Sequence, residues 1–170
     1  MNRIARHLPS TLIIVTLRNP FTRMLSMYEK GVGQRKVKTS FQDLLEAELT
    51  GHQTRLNLIY RNRYDIHMGY ILSRFPRDQV KILLFEEWTA DVPSVHRDLQ
   101  SFLNVPIEAT PALSATARNL RERYTKQKRD FTGIESLPSS VIDGVIVALT
   151  PTKQYLEEFL GRNLPWSYHF

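Results

Sequence analysis

The chain has 170 residues, of which 42% are hydrophobic, with a formal net charge of +6 and no cysteine. That length suffices for one ordinary domain with a sizeable core, and the apolar content excludes global disorder. Lack of cysteine excludes disulfides and thiolate metal sites and fits a cytoplasmic protein; no apolar run nears the roughly 20 residues needed to span a bilayer. Residues 1–10 do not read as a signal peptide. The positive balance favours anionic partners: nucleotides, sulfated glycans, nucleic acid or acidic membranes.

In chain order, Leu12 to Leu17 is a near-continuous β-branched and aliphatic run, the pattern of a parallel strand buried on both faces. It stops at Arg18. Asn19 can cap a helix and Pro20 suits its first turn, after which Phe21, Met24, Leu25 and Tyr28 recur at helical spacing. Gly31 to Lys36 reads as a flexible loop after that helix. Ser40 and Asp43 suit a capping box before a helix over Phe41 to Leu49, which Gly51 ends. Residues 52–63 read as a polar, basic loop. Tyr64, Met68, Ile71, Leu72 and Phe75 have helical spacing and belong to the core.

Val80 to Phe85 is a second buried parallel strand, closed by Glu86 and Glu87, which read as a strand-end cap or as partners of a basic loop rather than as an acid–base pair. Val95, Leu99, Phe102 and Leu103 form the buried face of another helix. Arg118 to Arg129 carries six basic residues and reads as a solvated helix face, or else as a mobile arm toward phosphates. A break at Ser136 to Ser140 precedes an apolar helix over residues 141–149. Thr150-Pro151 starts a last helix that Gly161 ends, and Trp166 serves as a packing anchor. His7, His52, His67, His96 and His169 lack metal-ligand spacing, so no metal is expected.

Arg18 falls at the carboxyl end of a parallel strand, where open α/β sheets bind ligands. Ser26 lies about 9 Å along the following helix from Pro20. A long arginine side chain spans much of that gap, so a guanidinium fork and a hydroxyl can meet one oxyanion. The helix N-terminus is expected to add free backbone N–H groups and a favourable dipole.

Leu17 to Tyr28 (LRNPFTRMLSMY) resembles the 3′-phosphate-binding segment of sulfotransferases that use 3′-phosphoadenosine 5′-phosphosulfate (PAPS). Tyr64 to Glu87 resembles the helix, Phe-Pro turn, strand and acidic end that follow in bacterial-type and carbohydrate sulfotransferase domains. Ser101 to Val105 resembles the family's Phe-Leu-Gly-Val, with Asn104 where glycine is common, and Tyr155 to Trp166 resembles its closing helix, Gly-Arg and tryptophan. The resemblance implies an α/β fold: a P-loop-like parallel sheet with flanking helices. Here it is N-terminally truncated to about two core strands plus a helical C-terminal part, all within one partial domain, residues 1–170. It implies PAPS as co-substrate, with Arg18 and Ser26 holding its 3′-phosphate, and a hydroxyl or amine acceptor that is carbohydrate first and a small-molecule alcohol second.

The family's 5′-phosphosulfate loop, of the form Pro-Lys-x-Gly-Thr, has no counterpart in the sequence, and neither does the interval that carries its catalytic base. No catalytic residue is therefore assigned. Such a chain supplies the nucleotide anchor of a sulfotransferase, or is a catalytically inactive relative that binds anions or a partner. Two apolar strands cannot cover both their edges and their faces, so lowered stability, or a partner or second copy along an exposed edge, is expected. No specific nucleic-acid recognition is expected beyond what the net charge provides.

Overall fold

The computed structural model describes residues 2–106 and 134–166. Its sheet has two parallel strands, β1 (Ile13–Leu17) and β2 (Val80–Leu84), with Ile13 opposite Val80 and Leu17 opposite Leu84. Parallel pairing requires a long crossover. Four helices supply it: α2 (Pro20–Gly33), α3 (Phe41–Leu49), α4 (Leu58–Arg61) and α5 (Tyr64–Leu72). A short α1 (Asn2–His7) precedes β1; α6 (Phe85–Ala90) and α7 (Val92–Leu103) follow β2. The long α8 (Ser139–Leu160) packs on α3, α4 and α5.

The expected strands and their direction are present, but β1 is not buried on both faces. Leu17 is buried, whereas Leu12 and Ile14 remain about 40% exposed. Among the described residues no strand pairs with the other edge of β1, as the edge argument anticipates. β2 sits deeper, with Val80, Ile82, Leu83 and Leu84 all buried. The core joins Val80, Ile82 and Leu84 to Phe21 and Met24 of α2, Leu45 of α3, Met68 of α5 and Val145, Leu149 and Leu156 of α8.

Several elements differ from expectation. The supposed glycine loop at Gly31 is the last turn of α2, which runs to Gly33. Gly31 is buried there, and a Cβ on it would lie 2.9 Å from Val37 Cγ2, so glycine serves close packing rather than flexibility. Within the supposed loop 52–63, Leu58 is fully buried and α4 forms. Glu48 of α3 caps it, accepting the Leu58 and Ile59 N–H groups at 2.8 and 2.7 Å. Pro151 does not start a new helix; α8 passes through it. The buried series Val141, Val145, Leu149, Thr152 and Leu156 keeps one face in the core. The carbonyl that Pro151 cannot serve belongs to Val147, which is 71% exposed and open to water. Helix α7 forms as expected, but Val95, Leu99 and Phe102 are only half-buried and Leu103 is exposed.

Other expectations hold. Ser40 Oγ accepts the Asp43 N–H at 3.0 Å to cap α3, and Gly51 beyond its end has φ +86°. Asn104, standing where the resembling family has glycine, ends α7 in the left-handed region at φ +53°. Asparagine tolerates that region best after glycine. The basic stretch Arg118 to Arg129 lies outside the described residues.

Candidate functional site

Arg18 leaves the end of β1 and lies back along α2. Its Nε donates to Thr22 Oγ1 at 3.0 Å, and its guanidinium stands 5.0 Å from the centre of the Phe85 ring. Thr22 Oγ1 in turn donates to the Asn19 carbonyl at 3.0 Å. These contacts hold Nε and one guanidinium face. Among the described residues, neither terminal nitrogen of Arg18 has a hydrogen-bond or ion-pair partner. Thr22 and Ser26 are four residues apart on α2, so they share a helix face, with Cβ atoms about 5–6 Å apart. Ser26 is exposed and its hydroxyl has no described partner. Thr22 and Ser26 thus form one ridge of α2, which Arg18 reaches at Thr22 Oγ1.

The helix N-terminus contributes less than expected. Asn19 Oδ1 accepts the Phe21 N–H at 2.9 Å and the Thr22 N–H at 3.5 Å, and the Asn19 carbonyl accepts the Arg23 N–H at 3.0 Å. Pro20 has no N–H. The first-turn donors are therefore committed to the cap, and an anion on this ridge meets side chains and the helix dipole.

Behind the ridge lies a buried polar network. Tyr64 OH is 2.9 Å from the Arg18 carbonyl and 3.1 Å from Asn62 Oδ1, so one proton is shared between two acceptors. Asn62 is fully buried; its Nδ2 donates to the Leu58 carbonyl at 2.7 Å. Arg23 Nη1 donates to the Arg61 carbonyl and to Asn62 Oδ1. Burial, reinforced by the Glu86 charge and opposed by Arg23 and Arg18, pushes the Tyr64 phenol up to about 12. It therefore remains a proton donor at neutral pH.

Glu86 spans two segments: Oε1 accepts the Asn19 N–H and Oε2 the Trp166 indole N–H, each at 2.9 Å. Glu87 pairs with Arg162 at 2.6 Å. The two glutamates therefore act as structural partners. They lie in the first turn of α6 rather than in the strand. Trp166 is buried, as expected of an anchor, but its bond to Glu86 was not legible in the sequence. Thr22 and Phe85 were also missed; the i+4 spacing of Thr22 from Arg18 was the available signal.

A cavity of about 300 Å³ lies against β2, and none of Arg18, Thr22 or Ser26 lines it. Its charged lining is internally satisfied. Lys81 pairs with Asp98 at 2.5 Å, Arg162 with Glu87, and Arg77 with the Val80 and Phe159 carbonyls. That is the guarding expected beside an unpaired strand edge.

The sulfotransferase domain family model matches residues 5–140, and the chain belongs to that family. The crystal structure of a sulfotransferase from Alicyclobacillus acidocaldarius matches with a TM-score of 0.67 and 25% identity, over 96% of this chain and 60% of that one. The chain thus spans about three-fifths of that relative's length. A comparison with curated proteins finds no match.

Proposed function

We propose that the chain is the part of a PAPS-dependent sulfotransferase that binds the nucleotide's 3′-phosphate, with Arg18 and Ser26 as its ligands. The supporting observation is the Arg18 guanidinium, braced by Thr22 and Phe85 while its terminal nitrogens have no described partner. In the implied reaction, an acceptor hydroxyl or amine forms the new bond to sulfur. The bond from sulfur to the bridging phosphate oxygen breaks, a base takes the acceptor's proton, and adenosine 3′,5′-bisphosphate leaves. This chain contributes anchoring, which positions the reacting group by remote binding energy. A carbohydrate acceptor accords with the domain type its segments resemble.

Calorimetric titration with adenosine 3′,5′-bisphosphate tests the reading. Binding by the native chain is expected, with most of the affinity lost in Arg18→Ala; equal affinity in the two would refute it.

A further inference from the structure

The Arg18–Asn19 peptide unit is held at both ends by side chains remote in sequence. Its carbonyl faces Tyr64 OH and its N–H faces Glu86 Oε1, both at 2.9 Å. A peptide plane fixed by opposed bonds cannot rotate without breaking one of them. This plane sets the direction in which the Arg18 side chain departs from β1, and it also delivers the carbonyl and side-chain caps of Asn19 to α2. The clamp's two arms differ in chemistry. Tyr64 donates from the top of α5, while Glu86 accepts from α6 and ties the same plane to the C-terminal Trp166. The rings of Tyr64 and Trp166 lie 6.1 Å apart, so the arms brace each other.

We propose that Tyr64 and Glu86 are positioning residues for the phosphate ligand Arg18, acting by clamping the Arg18–Asn19 peptide plane rather than by touching the nucleotide. This rests on the proposed function above. It makes recognition of the 3′-phosphate depend on a plane held by two helices, with the Glu86–Asn19 bond rather than the Glu86–Trp166 bond as the second arm.

The test is the preference for adenosine 3′,5′-bisphosphate over adenosine 5′-monophosphate, measured by calorimetry as a ratio of dissociation constants. Tyr64→Phe removes only the hydroxyl, and Glu86→Ala removes the other arm. Each is expected to cut the ratio about fivefold, the scale of one hydrogen bond, with the 5′-monophosphate constant unchanged within twofold. Trp166→Phe removes the indole donor but leaves Glu86 on Asn19, and is expected to keep the ratio despite lowered stability. Equal weakening of both nucleotides in Tyr64→Phe and Glu86→Ala, or an unchanged ratio, overturns the clamp. An unchanged ratio in Arg18→Ala instead overturns the function on which it rests. If either clamp variant fails to fold, the native chain still decides by NMR. The Asn19 amide and Trp166 indole N–H signals should shift together with one midpoint as the bisphosphate is added, and no shift at Asn19 overturns the proposal.

Discussion

Thr22→Val is the most economical perturbation of the site. Valine keeps the branched shape of threonine and deletes one hydroxyl. That hydroxyl accepts from Arg18 Nε and donates to the Asn19 carbonyl, each at 3.0 Å. The Asn19 carbonyl keeps the Arg23 N–H, so it is not orphaned. Arg18 loses its one side-chain hydrogen bond among the described residues and keeps only the Phe85 ring, an interaction of roughly 0.5–1 kcal/mol at a half-exposed site. The upper limit on lost affinity is the rotamer entropy regained by a freed arginine, about 2 kcal/mol. The residual stacking reduces this to about 1 kcal/mol, or fivefold in the dissociation constant of adenosine 3′,5′-bisphosphate. Adenosine 5′-monophosphate should be unaffected, and Thr22→Ser, which keeps the hydroxyl, should bind like the native chain. Titration calorimetry reads all three. Native affinity in Thr22→Val, or a loss in Thr22→Ser equal to that in Thr22→Val, would refute the claim that this bond braces the fork.

Two further outcomes follow from the buried network. Asn62→Ala strips the Leu58 carbonyl of its Nδ2 donor and opens a void in a fully buried site; a loss of about 2–4 kcal/mol is expected in urea unfolding, with a melting point lower by about 5–15 °C, whereas a change below about 0.5 kcal/mol would show the network to be dispensable. Because the Tyr64 phenol lies at about 12 against its ordinary 10.0, the folded state holds that proton more tightly than the unfolded one; its contribution is complete below pH 10 and is lost as pH rises toward 12. The stability difference between the native chain and Tyr64→Phe should therefore shift toward the variant across that window, and a difference independent of pH would contradict the burial argument.

The legible part of this molecule was the part written locally. The place of Arg18 at the end of β1 and of Ser26 on α2, the Asn19-Pro20 start of α2 and both strands could be read from runs of four to twelve residues, because burial and capping leave their marks at strand and helix spacing. Gly31, Leu58 and Pro151 misled for one reason: each carries a local preference that a distant contact overrode. Val37 makes glycine a packing requirement at Gly31, Glu48 supplies from another helix the cap that Asn57 does not, and the buried face of α8 carries the helix through a proline whose lost partner is solvent-exposed. The free N–H groups expected at the start of α2 failed more instructively. The same Asn19 that announces the helix consumes its first donors, so a strong cap signal argues against the helix terminus as the anion's contact.

The clamp was illegible by composition, yet it follows from a single structural fact. With Leu17 opposite Leu84, continuing the parallel register past the strands sets Arg18 beside Phe85 and Asn19 beside Glu86. Those are the pairs observed, the first as a guanidinium over a ring and the second as an N–H on a carboxylate. Strand register is thus the quantity that joins two segments 67 residues apart into one site. A slip of one residue would turn the β2 side chains to the opposite face, burying Lys81 where Ile82 now sits, and would move Glu86 away from Asn19. The same apolar packing that fixes the sheet therefore fixes where the Arg18 side chain begins. Mutations that loosen β2 in the core, far from any nucleotide, should weaken recognition of the 3′-phosphate before they unfold the chain.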